Sequence, residues 1–70
     1  MKIHNNANLP YKIIGEVIDF IGSLPEDTMY EGKIDISSFV WKHKEYNVQI
    51  RYLKRDVEWI FTEKGDKNDN

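Results

Sequence analysis

Seventy residues with a formal charge of −2 and no cysteine bound a single domain. They exclude a disulfide staple and a thiolate zinc site, and the overall charge is not that of a basic nucleic-acid binder. A chain this short buries only about 60% of the surface its unfolded form exposes, so self-association is one route to added stability.

Residues 1–8, Met1 to Asn8, are polar and without periodicity. They read as a flexible N-terminal arm, or at best a short edge segment, and lack the pattern of a signal peptide. From Leu9 to Leu24 the spacing is helical. Ile13, Ile14, Val17, Ile18, Phe20, Ile21 and Leu24 fall on one half of a 100° wheel, and Lys12, Glu16, Asp19 and Ser23 on the other. Asn8 is placed to cap this helix, with Pro10 in its first turn. Gly22 and Pro25 are placed to end it. Ser23 to Gly32 reads as a loop or one helical turn, since Ser23 and Glu26 have capping-box spacing.

From Lys33 the period changes to 2. Ile34, Ile36 and Val40, then Val48, Ile50 and Tyr52, then Val57, Trp59 and Phe61 alternate with polar neighbours. Short polar connections around His43 and Arg55 imply a meander of two hairpins. Gly65 to Asn70 reads as a disordered polar tail. The expected fold is therefore α+β, with one amphipathic N-terminal helix on a three-stranded antiparallel meander (αβββ), the domain occupying residues 9–64.

Register decides what such a sheet shows to water, because a one-residue slip moves every side chain to the other face. A second turn centred on Arg55-Asp56 pairs Tyr52 with Trp59 and Ile50 with Phe61. A three-residue first turn pairs Val40 with Val48 and Ile36 with Tyr52. The core is then expected to hold Ile13, Ile14, Val17, Ile18, Ile21 and Leu24 from the helix. From the sheet it takes Ile34, Ile36, Val40, Val48, Ile50, Tyr52, Val57, Trp59 and Phe61. The single helix leaves the opposite face open, with Phe39 and Trp41 on it beside Gln49, Arg51, Leu53 and Ile60. These six residues, together with the unpaired edges of the sheet, are the expected interaction surface.

Between Trp41 and Arg55, five cations (Lys42, Lys44, Arg51, Lys54 and Arg55) face one acid, Glu45. Aromatic and basic side chains on a sheet can hold single-stranded nucleic acid, although charge at hairpin ends is also ordinary solvation. The helix and the loop after it carry Glu16, Asp19, Glu26 and Asp27, a surface that could dock on a basic partner. His4 and His43 have no second ligand at metal spacing. No carboxylate pair, nucleophile elbow or phosphate-binding glycine loop is present, so neither a cofactor nor a catalytic residue is expected. No apolar run reaches the roughly 18 residues of a spanning helix, so no membrane role is expected either.

Eight lysines to two arginines, with frequent Asn and Ile, suggest an AT-rich coding sequence. Size, plan and composition resemble in style the small proteins of bacterial prophages and other mobile elements, a resemblance that assigns no residue a role. The expectation is a cytoplasmic, non-enzymatic interaction protein, possible partners being a host protein or a second copy in a homodimer. The alternatives are a single-strand nucleic-acid binder using the 41–55 hairpin, and an accessory subunit of a larger assembly.

Overall fold

The alternation after Lys33 gives three consecutive strands in the computed structural model, which describes residues 1–21 and 32–66. These are β2 (Ile34–Trp41), β3 (Lys44–Leu53) and β4 (Asp56–Asp66). They follow a helix, α1 (Tyr11–Ile21), and a short first strand, β1 (Lys2–Asn5). The expected α+β class holds, but the sheet has four strands, in the order β1-β4-β3-β2. β1 lies parallel to β4, and the two hairpins are antiparallel. It follows that β1 and β2 are the two edges and run in the same direction, with α1 on the crossover between them.

β1 is formed by residues expected in the arm. Its pairing sets Ile3 beside Trp59 and Asn5 beside Phe61. The Asn6 N–H extends the contact by donating to the Phe61 carbonyl at 2.9 Å. The Asn5 amide then closes the loop: Oδ1 accepts from Leu9 N–H at 2.9 Å and Nδ2 donates to the Leu9 carbonyl at 2.7 Å. This clamp turns Leu9 into the core.

The helix starts after Pro10, whose carbonyl accepts from Ile13 N–H (2.9 Å) and Ile14 N–H (3.2 Å). Proline suits this position because its missing N–H would have no intrahelical partner. Asn8, expected as the cap, instead takes φ +58 two residues upstream of Pro10. Gly22, Leu24 and Pro25, and the Ser23–Glu26 capping spacing, lie outside the described residues. So do residues 67–70 of the expected tail, whereas Gly65 and Asp66 belong to β4.

The first turn is one residue shorter than the sequence suggests, and the second has the expected length but sits one residue earlier. Lys42 and His43, with φ +51 and +69, make the two-residue connection between β2 and β3. Positive φ at both positions matches the right-handed twist of the flanking strands. Lys54 and Arg55 (φ +60 at Arg55) connect β3 to β4. In the second hairpin the register becomes Tyr52 with Val57, Ile50 with Trp59 and Val48 with Phe61. That is two residues from the expected pairing, so every side chain keeps its face.

In the first hairpin the shift is odd: Phe39 pairs with Tyr46, Ser37 with Val48 and Asp35 with Ile50. Every side chain of β2 is therefore on the face opposite to the one expected. At the far end Glu45 pairs with Gly65 and Tyr46 with Glu63, leaving Lys64 as an extra residue in a bulge.

The core lies between α1 and one face of the sheet. Among the described residues it comprises Leu9, Ile14, Tyr46, Val48, Ile50, Tyr52, Trp59 and Phe61. Val17, Ile18, Ile21, Phe39, Trp41 and Val57 pack around it half-buried. Ile34, Ile36 and Val40, expected inside, are exposed on the other face, and Leu9 and Tyr46 take core places the alternation had not given them.

Candidate interaction surface

Aromatic packing fixes the orientation of β2. Phe39 stacks on Tyr46 with ring centroids 5.4 Å apart and meets Phe61 edge-on at 6.4 Å. Trp41 lies 6.4 Å from the same Tyr46 ring. Trp59 and Phe61, 6.5 Å apart, extend the cluster beneath the helix. The aliphatic residues of β2 are left on the outside. Ile36 is 72% exposed, Val40 58% and Ile34 52%.

The helix does not reach fully over β2. On a 100° wheel Phe20 lies about 120° from Ile14. Ile14 is therefore buried, while Phe20 is 91% exposed. Between them runs a groove of about 370 Å³, walled by Val17, Phe20 and Ile21 of α1 and by Ser37, Phe39 and Trp41 of β2. Glu16 stands on its rim.

Beside the groove is the outer edge of β2. Tyr52 N–H donates to the Lys33 carbonyl at 3.0 Å, which makes 33 and 52 a hydrogen-bonded pair. Antiparallel bonding alternates, so the odd residues of β2 bond to β3. The N–H and C=O groups of Ile34, Ile36, Ser38 and Val40 point outward, and no described strand pairs with them. Edge strands in natural proteins are commonly protected by lysine, proline, a bulge or shortness. β2 has eight residues, a single charge (Asp35), and no proline or lysine. Asp35 is on the helix side, where its Oδ2 accepts from Tyr52 Oη at 3.0 Å.

The residues expected to share one surface are therefore divided. Phe39 and Trp41 lie half-buried on the helix side, lining the groove. Gln49, Arg51, Leu53 and Ile60 lie on the open face. There Glu58 joins two strands, with Oε1 3.2 Å from Arg51 Nη1 and Oε2 2.5 Å from His4 Nε2.

The five basic residues are divided too. Lys42 Nζ sits 4.8 Å over the Trp41 ring, and Lys44 lies 3.8 Å from Glu63. Lys54 and Arg55 are in the other turn, a full strand length from Lys42, roughly 30 Å at 3.4 Å per residue. Near them the Met1 ammonium is 2.7 Å from Asp56 Oδ1. That contact, with Val57 N–H as a second donor, holds the Asp56 carboxyl below its ordinary 3.8.

Sequence reasoning expected unpaired sheet edges but put the wrong side chains of β2 on the open face, because it missed the parity of the first turn. The signal that could have found it was the number of aromatics the two registers bury. With a two-residue turn, Phe39, Trp41 and Tyr46 join Phe61 on one face. The described residues hold no cluster of three or more His, Asp or Glu side chains that could bind a metal, and no helix long and apolar enough to cross a membrane. Compared with protein-family models, curated proteins and solved structures, the chain matches none.

Proposed function

We propose that this chain is a small non-enzymatic interaction protein that acts through the outer edge of β2 and the groove beside it. The observation that carries the reading is an eight-residue edge strand with outward backbone groups and apolar side chains on both faces. An extended segment added there gains main-chain hydrogen bonds from the edge. Its alternate side chains enter the groove on one face and cover Ile36 and Val40 on the other. The apolar margin so covered is of the kind that marks interaction sites on soluble proteins. A cytoplasmic, prophage-encoded setting belongs to the same proposal and rests on composition alone.

The test is affinity capture from the native host cytoplasm with wild type and with Ile36→Lys. A charge on the open-face margin of the edge should remove specific captured chains, a further copy of this protein included, without altering the fold. Identical capture by both forms would contradict the reading.

A further inference from the structure

We infer that the occupant of the β2 edge is a second copy of the chain, its β2 paired antiparallel about a twofold axis at Ser38. This rests on the edge being the interaction surface, and it names the partner.

The backbone sets the choice of register. A twofold perpendicular to the sheet keeps each face continuous, so even residues pair with even and odd with odd. Ile34, Ile36, Ser38 and Val40 are the residues whose backbone groups point outward, and they supply the new hydrogen bonds. With the axis at Ser38, Ile36 lies opposite Val40 of the partner subunit, and the reciprocal pair repeats on the other side of the axis. The two most exposed aliphatic residues of β2 thus cover one another. With the axis at Ser37, Ile36 would instead face a serine.

Charge favours the same register. On the helix side Asp35 falls opposite Trp41 of the partner subunit. In each copy that ring carries the Lys42 ammonium at 4.8 Å. The single acid of β2 therefore meets a cation held on the ring facing it. Oδ2 of Asp35 is engaged by Tyr52, and the other carboxylate oxygen is placed to accept. The product is an eight-stranded sheet with both helices on one face. The two grooves meet at the axis, and the exposed Phe20 rings stand along their lips. The outer β2 edge of each copy, which no described strand pairs with, becomes interior to the larger sheet, which removes the hazard such an edge presents.

The absence of cysteine from the chain makes the register measurable. In a hydrogen-bonded antiparallel pair the Cα atoms are about 5.5 Å apart, within disulfide reach. Ser38→Cys should therefore form a disulfide-linked dimer under mild oxidation. Val40→Cys should not, since the two copies of residue 40 are offset by four residues, roughly 13 Å along the strand. We expect Ser38→Cys to cross-link at least tenfold faster. Sedimentation should show a wild-type dimer and an Ile36→Lys monomer with the same circular dichroism.

Equal cross-linking of the two cysteine variants would overturn the register. A monomeric wild type at about 100 μM would overturn self-pairing altogether. In that case, capture of a different chain by wild type and not by Ile36→Lys would leave the edge as the interaction surface with another occupant. Identical capture by both would remove the edge reading as well.

Discussion

Lys42 and His43 decide more of this structure than any catalytic-looking side chain. Both adopt positive φ, a conformation that costs L-residues other than Gly, Asn and Asp about 1–2 kcal/mol. Neither is a recognisable hairpin-turn residue, so the two-residue turn was not legible in the sequence. Replacing the pair with Asn-Gly, the preferred residues for such a turn, should stabilise the fold by about 1 kcal/mol. In a domain of this size that raises the melting temperature by about 4–8 °C. A lower melting temperature would count against the turn.

Asp56 gives a second residue-scale expectation. Its carboxyl is held below 3.8 by the Met1 ammonium and Val57 N–H. A depressed folded-state value contributes stability above the unfolded value and loses it as pH falls through the folded one. Thermal melts from pH 6 to pH 2 should therefore show wild type losing more stability below about pH 3.8 than Asp56→Asn does. Parallel curves would show that the contact contributes nothing.

Among the elements, α1 was legible because the six apolar residues between Ile13 and Ile21 recur at helical spacing. The burial gradient across them was not, since a wheel shows an arc and not its centre. Ile14 sits at that centre and Phe20 at the groove-side margin. Ile14→Ala should cost about 2–5 kcal/mol, while Phe20→Ala should change monomer stability by less than about 0.5 kcal/mol. Urea denaturation at low protein concentration measures both, and equal losses would refute the helix orientation. β1 was not legible as a strand: Lys2–Asn5 has one apolar residue, and its pairing depends on β4, more than fifty residues away. Strand pairing at that distance leaves no local pattern to read.

For the whole molecule, class and most of the sheet core could be read from alternation alone. β3 and β4 each have one clearly apolar side, and a register error of two residues between them moved nothing across the sheet. β2 has apolar residues on both faces, Phe39 and Trp41 on one and Ile34, Ile36 and Val40 on the other. Its alternation therefore could not choose between registers. The sequence reading correctly anticipated that one helix leaves apolar surface uncovered, but assigned it to the wrong residues. The aromatics join the core cluster and the aliphatics form the outer margin. The candidate surface narrows from the open face and the sheet edges to the outer edge of β2 and the groove beside it.

That account is tested most directly by residue-resolved amide hydrogen exchange along β2 at low and high protein concentration. In dilute solution the amides of Ser37 and Phe39 should be protected by their bonds to β3, and those of Ile36, Ser38 and Val40 should exchange rapidly. Raising the concentration should slow the latter three as a second β2 docks. Protection of Ile36, Ser38 and Val40 in dilute solution, with Ser37 and Phe39 unprotected, would show that β2 faces the other way and would contradict both the register and the surface drawn from it.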